Sequence, residues 1–382
     1  MDRIYLDYAA TTPLAPKVLE VMAPYFTEIF GNPSSSHFFG QRAEGALEEC
    51  RVKVAKLLGT QPDEVIFTAS GSEGDNLAIR GAAFVRRAKE GKDTILISPV
   101  EHPAVINTAK QLRDVFGFKL IELRIDEFGQ ILLADLKERL DEHTALVSII
   151  YANNEIGTIN PVKEIAAICH ASGVPFHSDA VQACAHLPIN VSKDGIDLLS
   201  ITAHKFYGPK GVGVLVKGKS VDLISHTSGG KQEYKLRAGT HNLPGIVGLT
   251  GALELALQDR ESENKRVSAL RDRIIQFVLS EVPGSHLTGH PTNRLPNHAS
   301  FVFEEINGND LVIMLDMAGF ACSSGSACKV GDPKPSEVLL GLGLNPELAI
   351  GSLRITLGKY TTENQIEQFL EVLPVAIKKL RK

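Results

Sequence analysis

Five cysteines in 382 residues (Cys50, Cys169, Cys184, Cys322 and Cys328) are too few and too unevenly spaced for a disulfide framework. No CxxC pair and no HExxH occurs, so no metal site is expected. No apolar run approaches the roughly 20 residues needed to cross a bilayer. The opening MDRIYLDYAATTPLAP turns acidic and polar within seven residues, unlike a signal peptide. Long basic runs are missing and the net charge is -5, which argues against nucleic acid as a direct partner. Lys378, Lys379, Arg381 and Lys382 read as a solvated helix end that complements the helix dipole. Internal repeats and low-complexity segments are absent. These absences lead to the expectation of a cytoplasmic protein with free thiols and no membrane partner.

What is present suits an enzyme or binding protein of two packed domains: 43% hydrophobic and 22% charged residues in a chain long enough for substantial cores. From about residue 60, short apolar runs alternate with helically spaced segments. EVIFTA (64–69), TILIS (94–98), FKLIEL (118–123), TALVSII (144–150), VPFHS (174–178) and DLLSITA (197–203) read as strands, with GVGVLV (211–216) a further one. Leu77 to Lys89, Ala104 to Phe116, Ala134 to Leu140 and Val162 to Ala171 read as helices. Near-continuous apolar strands between helices argue for an α/β fold, its mostly parallel sheet covered on both faces. A long helix over 245–281 leads to a second unit with strands at 298–303 and 351–357 and helices near 308–318, 335–342 and 362–380. An earlier helix over 37–58 lines up Ala43, Ala46, Leu47, Cys50, Val54 and Leu57 on one stripe.

Ligands of open α/β sheets sit beyond the carboxyl ends of the strands. Five polar clusters fall there: SGSEGDN, EHPAV, NNEIG, DAVQ and HK, and together they describe one pocket. Ser70 to Gly74 offers either a phosphate cradle at a helix start or an N-capped turn. Asp179, ending an apolar strand, needs a partner such as a protonated pyridine nitrogen, or else caps the next helix. Lys205, after another apolar strand and between His204 and a GPKG turn, is either an ordinary surface lysine or one brought into a buried site to lose its proton and form a Schiff base. His102, before Pro103, is a helix-start histidine or an imidazole stacked on a flat ring. Cys328 stands among Ser, Gly, Pro and Lys with little to bury it, which suits a nucleophile; Cys50, Cys169 and Cys184 read as core, and Cys322 as structural. Arg354, in an apolar strand, serves either a bound carboxylate or a structural ion pair.

YLDYAATTP (5–13), GNPSSSH (31–37), EHPAV, NNEIG, HSDAVQ, AHKFYGPKG, RAGTHN (237–242), SSGSAC and SLRITLGKYTT (352–362) occur together along the whole chain. In this combination the chain resembles the cysteine desulfurases of the NifS/IscS type, fold-type I pyridoxal phosphate enzymes. The resemblance implies a large cofactor-binding domain over 15–258, and a smaller α+β domain from 1–14 and 259–382. It also implies a homodimer acting on L-cysteine and passing sulfur to an acceptor protein, a scaffold or sulfur carrier, as in iron-sulfur cluster assembly. By the same resemblance Lys205 is the Schiff-base lysine, Asp179 the ring-nitrogen partner, His102 the stacking residue and Gln182 the donor to the ring hydroxyl. Asn154 lies near that oxygen and the substrate carboxylate; Gly71, Ser72, Thr202 and His204 bind phosphate, and Thr240 completes the neighbouring subunit's phosphate site. Arg354 binds the substrate carboxylate and Cys328 becomes the persulfide, leaving L-alanine. Three positions depart from the family's habit: ASGSEG replaces an SGATES-like loop, Thr202 a common serine, and Lys329 a small polar residue. A selenocysteine lyase, another lyase or aminotransferase-like enzyme on this fold, and a non-catalytic sulfur-transfer scaffold remain alternatives.

Overall fold

The structure, a computed structural model, describes residues 3–325 and 334–381. Cys328 and Lys329 lie outside the described residues. A two-residue strand, β1 (Ile4–Tyr5), is followed by β2 (Val65–Thr68), β3 (Thr94–Ile97), β4 (Lys119–Glu122), β5 (Thr144–Ser148), β6 (Phe176–Asp179), β7 (Leu198–Thr202) and β8 (Gly213–Lys217). The last seven form one sheet in the order β2-β8-β7-β6-β5-β3-β4. Only β8 runs against its neighbours; the other pairings are parallel.

Helices explain why these strands read as unbroken apolar runs. Every residue of β2, β3, β5, β6 and β7 is buried, while the edge strand β4 exposes both ends. Side chains alternate between two covered faces. Val65 and Phe67 join one core with Val54, Leu58 and Phe176; Ile66 joins the other with Leu77, Ile79 and Ile95.

The helix Gly71–Glu90 starts earlier than the apolar spacing from Leu77 suggests. Ser70 accepts from the Glu73 amide at 3.1 Å and caps it. Gly71 is there for lack of room: a Cβ would lie 2.6 Å from Val181 Cγ2. Small, polar first-turn residues therefore hid the start of the helical period.

The helix Leu243–Glu281 places Leu243, Ile246 and Leu249 in the first core and Leu270, Ile274 and Val278 in another. That other core packs β9 (Ser285–Leu287), β10 (His298–Phe303), β11 (Phe320–Ala321) and β12 (Ser352–Thr356) with helices Gly308–Met317 and Glu363–Leu380. β12, β10 and β9 form an antiparallel sheet in that order, and β11 pairs with β1. Ile4 and Leu6 belong to this second core. The short strands β1, β9 and β11 carried no periodic signal, because two or three residues are below the length at which alternation is readable.

Candidate active site

β2, β3, β5, β6 and β7 all end at one cavity of about 250 Å³. Gly71, Ser72, His102, Asn154, Asp179, Gln182, Thr202, His204, Lys205 and Arg354 line it. The five polar clusters thus converge. Of the expected site residues, Thr240 is exposed and outside this cavity, and Cys328 lies outside the described residues.

Lys205 ends the single turn Ala203–Lys205 that follows β7. Gly208 keeps that turn tight, since a Cβ there would lie 2.7 Å from the Ala203 Cβ. The Lys205 Nζ donates to the carbonyl oxygens of Ala9 and Ala10, the latter at 2.8 Å. Burial lowers its pKa to about 8; the Arg354 cation adds to this, and Asp179 and Asp7 oppose it. An amine with that pKa is partly neutral near pH 7, which a carbonyl-attacking lysine needs.

Asp179 closes β6, where its Oδ1 accepts from the Val181 amide at 2.9 Å. Burial raises its pKa, with His102 and Lys205 pulling the other way. His102 caps the helix Pro103–Phe116: its Nδ1 accepts from the Ala104 amide at 3.1 Å. The neutral ring therefore carries its proton on Nε2. Burial lowers the His102 pKa, Asp179 opposing and Lys205 assisting. Asp179 and His102 each make a local backbone bond and line the cavity; the bond at His102 caps a helix, whereas Asp179 is followed by a turn and not by the helix it was expected to cap.

Gln182 donates from Nε2 to the Ala9 carbonyl at 2.9 Å. Thr202 donates its hydroxyl to the Val212 carbonyl at 3.1 Å, and His204 Nδ1 meets the Thr11 hydroxyl at 3.2 Å. Burial, then Lys205 and Lys210, lowers the His204 pKa to about 4, so this ring is neutral. Arg354 on β12 donates to the Asn154 carbonyl at 2.9 Å and to Asp7 Oδ1 at 2.8 Å. Its Nε and the Asn154 Oδ1 are buried with no hydrogen-bond partner among the described residues.

Several contributors were not read from the sequence. Asp7 holds Arg354, and the carbonyls of Ala9 and Ala10 hold Lys205. Asp75 and Glu101 are buried beside Asp179. Burial and then Asp179 push the Asp75 pKa well up, and burial lifts Glu101 to about 8. Asp75 had a readable signal: it shares a helical stripe with Gly71, Ala78 and Ala82, all buried.

The residues present fit pyridoxal phosphate. An amine of low pKa faces the cavity with a buried carboxylate, and an imidazole and an unpartnered amide oxygen line the same walls. The N-terminus of a 20-residue helix opens into it at Gly71 and Ser72, where backbone amides and the helix dipole favour an anion.

The family model of the class-V aminotransferases matches residues 4–369. A protein named cysteine desulfurase IscS from Dictyoglomus turgidum is 46% identical over 378 residues, 99% of this chain and 95% of that protein. A relative of the same name from Methanosarcina thermophila is 45% identical over 380 residues, 99% of this chain and 93% of its own length. Among solved structures, one described as a NifS-like protein superposes with a TM-score of 0.92 at 36% identity, covering 99% of this chain and all of that one.

Proposed function

The chain belongs to the class-V aminotransferase family and is a cysteine desulfurase that uses pyridoxal phosphate; we propose that Lys205 carries the cofactor, Arg354 binds the substrate carboxylate and Cys328 takes the sulfur. The observation that carries this assignment is the pairing of Lys205, with its pKa of about 8, and Arg354, with its unpartnered Nε, on one small cavity. A likeness to a solved structure described as SspA in complex with cysteine supports L-cysteine as the substrate; its TM-score is 0.81 at 34% identity, covering 94% of this chain and all of that one.

Bound pyridoxal phosphate supplies an electron sink for the carbon beside the amino group. Gly71 and Ser72 would hold its phosphate at the helix start, with Thr202 and His204 beside them and Thr240 from a second copy. Asp179 would keep a proton on the ring nitrogen, His102 would flank the ring, and Gln182 and Asn154 would meet its hydroxyl. Arg354 orients L-cysteine through its carboxylate, and Asn154 meets the same group. The Lys205 amine takes the proton from Cα and returns one after sulfur has left. The Cys328 thiolate attacks the substrate sulfur: the carbon–sulfur bond breaks, a sulfur–sulfur bond forms, and L-cysteine plus thiol become L-alanine plus persulfide. The persulfide then serves an acceptor protein, a scaffold or sulfur carrier of the kind used in iron-sulfur cluster assembly.

Exposure of Thr240 at the surface of its own chain supports the homodimer. The separation of the two cores on the seven-stranded sheet from the core around β9–β12 supports a large unit over 15–258 and a small one from 1–14 and 259–382. Buried free thiols at Cys50, Cys169, Cys184 and Cys322 support a reducing, cytoplasmic setting. No helix among the described residues is long and apolar enough to cross a membrane.

Alanine and sulfide released from L-cysteine, with reductant, test the assignment in the wild type and in Cys328→Ala. Matched yields from the wild type and almost none from the variant are expected. Activity that survives in Cys328→Ala removes the persulfide route and leaves a lysine-dependent lyase.

A further inference from the structure

Glu155 follows Asn154 in the loop after β5, and none of the roles assigned above falls to it. Its amide donates to Asn153 Oδ1 at 2.8 Å, which fixes the local turn. Its Oε2 accepts from the Ser336 hydroxyl at 2.5 Å. The same oxygen lies 2.9 Å from where a Cβ on Gly325 would sit, and that point is 3.2 Å from the Ser336 Cβ. The Gly325 amide donates to Ser352 Oγ at 3.1 Å. Two residues earlier, Ser323 exchanges backbone hydrogen bonds with Arg354 at 2.7 and 3.2 Å. Gly325 and Ser336 stand on either side of Cys328 in the sequence. Gly325 and Ser336 therefore lie side by side at one carboxylate, which bonds the Ser336 end, while the Gly325 end is bonded to β12, the strand that holds Arg354.

We propose that Glu155 is a positioning residue for sulfur transfer, its carboxylate holding the Ser336 end of the Cys328 stretch against the Gly325 end beside the substrate-binding arginine. The inference rests on the reading that Cys328 receives the sulfur. A thiol that must meet a substrate sulfur gains from ends fixed in space, because reacting atoms are effective only within a narrow range of separation. Glycine at 325 fits the arrangement, since any larger residue would push a carbon into the carboxylate. Ser336 also accepts from the Leu339 amide at 3.2 Å, which caps the helix Glu337–Gly341. Burial raises the Glu155 pKa, while the Ser336 bond and Arg354 lower it, as befits an acceptor held in a partly buried junction.

The test compares Glu155→Ala, Glu155→Gln, Ser336→Ala and Cys328→Ala, all loaded with cofactor. Single-turnover persulfide formation on Cys328 is followed by mass spectrometry after trapping. L-cysteine binding is followed separately through the cofactor's visible absorbance, with the Cys328→Ala change added to block turnover. The expected result is that Glu155→Ala slows persulfide formation on the order of 100-fold, while the Kd for L-cysteine stays within about threefold. Ser336→Ala should slow it in the same direction, and Glu155→Gln, which keeps an acceptor oxygen, should recover most of the rate. Wild-type persulfide rates in both alanine variants at positions 155 and 336 overturn the proposal. So does a loss in Glu155→Ala that tracks weaker L-cysteine binding, or a glutamine variant no better than alanine. If Glu155→Ala does not fold, Gly325→Ala carries the same test by crowding the carboxylate from the other side. Alanine and sulfide still formed by Cys328→Ala defeat the underlying reading instead, whatever the variants at the pin do.

Discussion

Arg51 and Arg354 each reach a carboxylate at 2.8 Å from a largely buried position, yet their remaining donors are used differently. Arg51 spends its Nε on Glu48 at 3.0 Å and its two other nitrogens on Glu233 at 2.9 and 2.8 Å, with the Val65 carbonyl at 2.7 Å. Its guanidinium also stacks 5.0 Å from the Phe67 ring. Glu233 is equally well served, by His241 at 2.7 Å and by the Phe67 amide at 2.7 Å. Arg354 makes one bond to Asp7 and one to a main-chain oxygen, and its Nε has no partner among the described residues. A saturated arginine fixes structure; Arg354, on a cavity wall and held by only two neighbours, keeps bonding capacity of the kind the proposed carboxylate would use. The same residue type, buried in both places, is thus used to different degrees.

Four experiments strain that comparison, the largest effect first. Arg51→Met strands the buried Glu233 charge, and unfolding of the apo protein in denaturant should lose about 3–5 kcal/mol, with L-cysteine affinity in the reconstituted protein unchanged. Arg354→Ala should do the reverse: kcat/KM for L-cysteine falls roughly a hundredfold, about 3 kcal/mol, with little change in unfolding. A large stability loss in Arg354→Ala would erase the distinction.

The third experiment sharpens it through charge. Lys205 has its pKa lowered to about 8, in part by Arg354, from an ordinary 10.5. Attachment of pyridoxal phosphate to the apo protein should therefore speed up as pH rises and level off near pH 8. Removing Arg354 should move that midpoint upward, because a neighbouring cation is gone. The linkage to stability has a definite sign. The folded state disfavours the charged amine, so Lys205 costs stability below about pH 8, and the cost fades as pH rises toward 10.5. An unchanged midpoint in Arg354→Ala would show that burial alone sets this lysine.

The smallest effect lies beside Arg51. Glu233, Tyr234 and Lys235 all have positive φ, at 46°, 56° and 69°, a conformation that side chains resist. Lys235→Gly relieves roughly 1–2 kcal/mol of strain, offset by about 0.5–1 kcal/mol of extra freedom in the unfolded chain. A net gain of about 0.5 kcal/mol in unfolding free energy is expected from denaturant titration. Its absence would mean that the clasp around Glu233 absorbs the strain.

That Lys205, Asp179 and His102 share one cavity was legible in the sequence because each stands at or shortly beyond the carboxyl end of an apolar strand, where a polar residue must have a reason. The parallel sheet was legible for the same cause: helices on both faces leave the strands unbroken in hydropathy. Asp7 was not legible as the partner of Arg354, since 347 positions separate them and no local pattern spans that distance. Asp75 was readable from its helical stripe with Gly71, Ala78 and Ala82, but the small residues around it made that stripe easy to pass over. Glu155 was visible only as part of a motif, because its meaning depends on Gly325 and Ser336 arriving from far along the chain. Arg51 stayed unread inside an ordinary amphipathic helix, although its burial makes it one of the best-satisfied cations described.

Residues 4–12 have a consequence for engineering. Ile4 and Leu6 seat in the second core, Asp7 grips the arginine, Ala9 and Ala10 hold the lysine, and the Thr12 amide bonds the His204 carbonyl at 2.9 Å. They work as a tie-rod between two machines that a designer would otherwise try to separate. A miniature cut back to the seven-stranded sheet alone would keep Lys205 but lose the carbonyls that hold its amine. Any attempt to shrink this enzyme has to carry that short ribbon along.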